Sequence, residues 1–218
     1  MTDYLSFSLI WTSNNNMHLN TSKTEEMILG RIDSTSIPSL STPFQRVTTF
    51  KLLGLHLDAG LSWTIHINTI VSKASKRLYF LTQLRRAGDP SQQLRHFYTA
   101  VICPVLEYAS PDWHYFITRA QSQHMESIPK RAVHVIFSFT RGKSYLNVLF
   151  VANLNSLKDR RDKLSWSFFK NVCKLASCLH HLLPPRKTSA IFRLRSSTPL
   201  PRSTPRTKVW IICKFHPQ

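Results

Sequence analysis

Phosphoryl transfer on a nucleic-acid strand needs two carboxylates, held on adjacent strands, to bind two divalent ions. Eleven Asp and Glu serve the 218 residues, and no Asp-Asp pair occurs among them. The strand-like front section offers Asp33, in a Ser/Thr loop, and Asp58, at a turn before Gly60. Asp112 stands beside Trp113 but follows Pro111, in a segment that reads as loop or helix entry. No two-metal centre is legible. His56-Leu57-Asp58 matches the first two ligands of an iron oxygenase facial triad. Any strand with His and Asp two apart gives the same pattern, and the helical chain beyond offers no sheet for a third ligand. Cys173 and Cys178 precede His180 and His181, but that spacing fits no common zinc finger. The five glycines are isolated, so no phosphate-cradling loop or dinucleotide fingerprint forms, and no serine sits in a nucleophile elbow. The expectation is a chain with no cofactor, no metal and no small-molecule substrate.

Charge points elsewhere. Lys and Arg total 29, giving a formal net charge of +18. Such a surplus attracts polyanions, because phosphate binding is driven largely by counterion release. No acid follows Asp162, while eleven Lys and Arg do. The expected partner is RNA or DNA, held without sequence preference, and a membrane surface ranks below it. No apolar run approaches the ~20 residues of a membrane span. The start lacks the basic leader of a signal peptide, so a cytoplasmic or nuclear location is expected. Four scattered cysteines exclude a disulfide framework.

The elements that would present this charge are mostly helical. Residues 1–30 read as a helix end, a polar turn at Asn14–Asn16 and a strand around Met27-Ile28-Leu29. The stretch from Val47 to Asp58 suits a strand pair bent at Gly54. From Ser62, placed to cap a helix, Trp63, Ile67, Ile70, Val71, Ala74, Leu78, Leu81 and Leu84 recur at helical spacing. Lys73, Lys76, Arg77, Arg85 and Arg86 lie largely off that stripe. Gly88-Asp89-Pro90 ends the helix, and Ser91 opens another that Pro104 must kink or stop. A third helix is expected over Thr118–Phe137, bent or broken at Pro129, with Met125, Ile128, Ala132, Val133 and Ile136 packed. A fourth runs from Ser156 to about Cys178, with Leu157, Leu164, Trp166, Phe168 and Leu175 as core candidates. Beyond Leu183 the prolines predict an irregular basic tail. Trp113, Tyr115 and Phe116, beside His114, form the densest aromatic group, read chiefly as a core plug and secondarily as a surface for stacked bases.

The order of these segments resembles the carboxy-terminal part of non-long-terminal-repeat (LINE-type) retrotransposon reverse transcriptases. Asn16-Met-His-Leu-Asn-Thr-Ser-Lys-Thr-Glu-Glu-Met27 is similar to their last palm motif. Phe50-Lys-Leu-Leu-Gly-Leu-His-Leu-Asp58 looks like their primer-grip hairpin. Lys73-Ala-Ser-Lys-Arg-Leu78, Phe97-Tyr-Thr-Ala-Val-Ile102, Pro104–Pro111, Trp113, Lys130-Arg-Ala132 and Ser156–Arg161 resemble the thumb and the helices after it. The resemblance implies a mainly α chain. A small α/β strand-hairpin remnant (1–60) is followed by a helical thumb-like bundle (61–183) and an irregular basic tail (184–218). It implies a catalytically incomplete fragment whose aspartate motifs belong before residue 1, with Lys23 in place of the palm lysine. Lys51, Lys73, Lys76, Arg77, Arg85, Arg86, Lys130 and Arg131 are the residues expected to touch the phosphate backbone. The segment from Phe50 to Arg86, with Arg77-Leu-Tyr-Phe-Leu81, also resembles the amino-terminal region of AlkB-type alkylated-nucleic-acid repair and tRNA methyltransferase proteins. That resemblance implies iron, 2-oxoglutarate or S-adenosylmethionine chemistry as the alternative function.

Overall fold

The computed structural model describes residues 2–29, 45–137, 140, 142–184 and 211–215. The chain divides into two compact units, Met1–Leu61 with Lys208–Gln218, and Ser62–Thr207. The whole is mainly helical with small strand pairs.

In the first unit, α1 (Thr2–Asn14) leads to β1 (Glu25–Leu29), the middle strand of three. β1 pairs in parallel with β2 (Gln45–Arg46), and Glu26 lies in register with Arg46. The side chains of that pair meet at 3.2 Å, which compensates the burial of the Glu26 carboxylate. On its other edge β1 pairs antiparallel with β5 (Ile211–Phe215). The structure thus adds a strand at the far end of the expected irregular tail, with Met27 in register with Cys213, Ile28 with Ile212 and Leu29 with Ile211. A separate hairpin joins β3 (Thr49–Leu52) to β4 (Leu55–Asp58), as expected from the bend at Gly54. Leu53 and Gly54 both have positive φ, 47° and 86°, which is the type I′ turn that matches strand twist.

The second unit is built on α2 (Thr64–Arg86) and α6 (Arg119–Ile136), which pack along their apolar stripes. Ile67, Ile70, Val71, Ala74, Leu78 and Leu81 are buried from α2, and Met125, Ile128, Ala132, Val133 and Ile136 from α6. Each large side chain so buried contributes roughly 1.5–3 kcal/mol. That outweighs the local strain at the start of α2, where Trp63, not Ser62, is the capping residue, in the left-handed region at φ 59°. The cost there is about 1–2 kcal/mol, and Trp63 is itself buried. Thr118 and Gln121 form a capping box at α6, and the Gln121 amide donates onward to the Ser62 carbonyl at 3.1 Å, tying the two helix starts together. At the end of α2, Asp89 N–H donates to the Leu84 carbonyl and Gly88 N–H to that of Arg85, a Schellman closure with Gly88 at φ 94°.

α3 (Ser91–Phe97) continues through one π turn (Tyr98–Ile102) into α4 (Cys103–Glu107). There Cys103 N–H donates five residues back, to Tyr98. The wider turn makes room for Pro104, whose ring would otherwise press on the carbonyl four residues earlier. Pro129, by contrast, does not break α6, which runs through it with the ring buried. α5 (Ser110–Trp113) follows, then α7 (Tyr145–Val151), where no element was expected, and α8 (Leu157–Val172), capped by Ser156. α8 corrects the sequence reading. Its buried stripe is Leu157, Arg161 and Ser165, whereas Leu164, Trp166 and Phe168 are exposed, and Leu175 lies exposed beyond its end. Apolar residues run round most of this helix, so hydrophobicity alone marks no face.

Candidate nucleic-acid interface

α2 contains Lys73, Lys76, Arg77, Arg85 and Arg86 and no acidic residue. Its apolar stripe faces α6, which turns the cations outward. Lys73, Lys76 and Arg86 are exposed, and none has a partner among the described residues. Arg131, from the neighbouring helix α6, is exposed and likewise has no such partner. Arg86 and Arg131 line one cavity of about 170 Å³ with Ser75, Tyr79 and Gln83. Two arginines on one cavity whose lining holds no carboxylate favour an anion there.

The other expected contact residues are placed differently. Arg77 Nη1 donates to the Val101 carbonyl at 2.5 Å, so it pins α2 to the π turn while its edge stays exposed. Arg85 is half-buried. Lys130 stands 5.4 Å over the Tyr145 ring, on a different side of α6 from Arg131. Lys51 is exposed on β3, and Lys23 is exposed in the 3-10 turn Thr21–Lys23 before β1, both in the first unit. Of the expected residues, the structure brings Arg86 and Arg131 to one cavity, while Lys73 and Lys76 are exposed elsewhere along α2.

A second polar assembly escaped the sequence reading. Arg161 is fully buried on α8. Its Nε donates to His114 Nδ1 at 3.2 Å, one Nη to Ser122 Oγ at 3.2 Å, and its guanidinium lies 5.6 Å from the Trp113 ring. Because arginine only donates, His114 Nδ1 must accept, and its Nε2–H then donates to Asp162 at 2.7 Å. Burial lowers the Arg161 pKa, and Glu126, Asp162 and Glu107 oppose that shift. Its neighbour Arg160 donates through two nitrogens to both Glu107 oxygens, and this raises its pKa above the ordinary arginine value. The signal for Arg161 was its place four residues from Leu157 and from Ser165 on one helical stripe.

Around His114 a cleft of about 840 Å³ opens, lined by the first turns of α6 and α8 and the start of α7. Tyr145, also in its wall, donates to Glu126 at 2.7 Å, and burial raises its pKa above the usual tyrosine range. Among the described residues no three His, Cys, Asp or Glu side chains gather to hold a metal ion. The donor set of an iron centre is therefore not met by the described residues around His56 and Asp58, nor by those around Cys173, Cys178 and His180. No helix among the described residues is long and apolar enough to cross a membrane.

Residues 63–102 match the family model described as alkylated DNA repair protein alkB homolog 8, N-terminal. That stretch, less than a fifth of the chain, begins at the Trp63 cap and takes in α2, α3 and the π turn. It overlaps the segment from Phe50 to Arg86, identified on sequence, only from residue 63 onward. The chain matches no curated protein and no solved structure. Of the two sequence resemblances, the AlkB-type one alone is met by a comparison, and nothing found supports the reverse-transcriptase one.

Proposed function

We propose that the helical unit is a binding module, without chemistry of its own, that grips nucleic acid by its phosphate backbone along α2 and the adjoining edge of α6. One observation carries the reading: Lys73, Lys76, Arg86 and Arg131 are exposed without partners on an acid-free helix and its neighbour. From Lys73 to Arg86 the helix rises roughly 20 Å. A duplex presents one charge per about 1.7 Å of its axis, so phosphates are spaced closely enough to meet cations distributed over that length. Contacts of this type position a strand and carry no sequence information.

The matching family's description names an alkylated DNA repair protein, and a nucleic-acid partner for α2 agrees with that description. An enzyme of the AlkB class would need an iron-binding donor set, which the described residues do not assemble. The likeness covers residues 63–102, and the proposal takes from it a nucleic-acid partner alone. The retrotransposon resemblance assigns the same grip to these helices, and the proposal does not depend on that lineage.

Fluorescence anisotropy with a labelled single strand and a labelled duplex tests the reading. Four cations engaged give a log–log salt slope of about −3 for single strands and about −3.6 for duplex. Affinity unchanged between low and high salt would refute it.

A further inference from the structure

The cleft around His114 is a second site, chemically unlike the α2 face. Two carboxylates line it, and both are engaged by the protein itself: Glu126 accepts from Tyr145 and from Leu157 N–H (3.1 Å), and Asp162 accepts from His114. Three cations line it as well, Arg119, Lys130 and Lys158. Arg119 and Lys158 are exposed and have no partner among the described residues. Below the floor lies the buried Arg161, which holds His114 and Ser122 in place. Hydrogen bonds from neutral groups leave both carboxylates charged, so three cations against two carboxylates give the lining one net positive charge, and Arg119 and Lys158 are its unengaged ions.

Both free cations stand where a helix least favours them. Arg119 opens α6 and Lys158 is the second residue of α8. Each sets a positive charge against the positive end of a helix dipole, at a cost of about 0.3–1 kcal/mol. An anion bound at either one brings a negative charge to that helix end and reverses the sign of the interaction. The cleft also has an aromatic wall. Tyr115 is 67% exposed, its ring 4.9 Å from that of His114, so a planar group can lie on it. A volume of about 840 Å³ lies within the range of small-molecule sites.

We propose that this cleft binds a nucleoside phosphate, the phosphate at Arg119 and Lys158 and the base against Tyr115. The unit is either a free mononucleotide or the 5′-phosphorylated end of a strand. The site is independent of the α2 face, and either can fail without the other.

Calorimetry on the full chain with adenosine monophosphate, inorganic phosphate and a short oligonucleotide, with and without its 5′-phosphate, tests the proposal. Saturable binding of the mononucleotide is expected, weakened about tenfold or more by the double substitution R119Q/K158Q. Y115A should weaken the mononucleotide and leave inorganic phosphate unchanged. R119Q/K158Q should raise the urea midpoint of the unliganded chain slightly, which separates lost binding from lost folding. A preference for the 5′-phosphorylated oligonucleotide over the mononucleotide assigns the site to strand ends, and the reverse preference assigns it to free nucleotides. No saturation by either phosphorylated ligand at about 1 mM overturns the proposal. So does a loss of mononucleotide binding in K73Q/K76Q/R86Q/R131Q equal to that in R119Q/K158Q.

Discussion

Arg161 is a buried cation whose guanidinium is held by a histidine nitrogen, a serine hydroxyl and an indole face. Replacing it separates two effects that usually travel together. Arg161→Ala removes a long side chain from a fully buried position and leaves His114 Nδ1 and Ser122 Oγ unsatisfied. The cavity alone costs about 2–5 kcal/mol, and each buried polar atom left alone adds about 1–3 kcal/mol. The loss of a desolvated charge gives part of this back, and about 3–5 kcal/mol remains. Arg161→Met keeps the length and fills the space beside Met125, so only the polar atoms suffer, at about 1–3 kcal/mol. Urea unfolding of the full chain, followed by helical circular dichroism, reads both. Alanine should lower the midpoint clearly more than methionine, with the same m-value. Equal midpoints for the two variants, or an alanine loss below about 1 kcal/mol, would refute the buried-network reasoning.

Burial pushes the Cys103 thiol up to about 11, with the Tyr98 hydrogen bond opposing and Glu107 adding to the rise. The folded state thus holds the thiol proton more firmly than the unfolded state does. This stabilisation is full below about pH 9 and is lost as pH rises through about 11. It amounts to on the order of 3 kcal/mol, and Cys103→Ala should flatten the alkaline part of the stability profile. Alkylation followed by peptide mapping should find the exposed Cys178 labelled in the native chain and the buried Cys103 only after unfolding. Gly88 is at φ 94° with open space around a would-be Cβ, so Gly88→Ala should destabilise by about 1 kcal/mol through the backbone alone. Leu53→Gly, at φ 47° in the hairpin turn, should stabilise by a similar amount in the same melt.

The sequence yields its helices in proportion to how one-sided they are. α2 and α6 separate apolar from charged residues around the helix, and Thr118 with Gln121 marks the start of α6, so both stand out. α7 is seven residues long and almost wholly apolar, too short for a period to show. In the second half of α8, Trp166, Phe168 and Phe169 spread over nearly half of the helix circumference, which hid both its true stripe and the buried Arg161. In the run Leu-Lys-Asp-Arg-Arg-Asp-Lys the charges look like an ordinary solvated face. β5 pairs with a strand far along the chain, and nothing local signals such a partner. The cations of the α2 face were legible because charge and period diverge there. The cleft was not, because Arg119, Tyr115 and Lys158 meet only in the fold.

The central claim is that a particular face, rather than bulk charge, holds nucleic acid. Two variants of equal net charge decide it: K73Q/K76Q/R86Q/R131Q on the face, and K143Q/K163Q/K170Q/K174Q away from it. Measured by anisotropy with one labelled strand at one salt concentration, the first should lose about tenfold or more in affinity and the second well under that. Equal losses in the two would contradict the account.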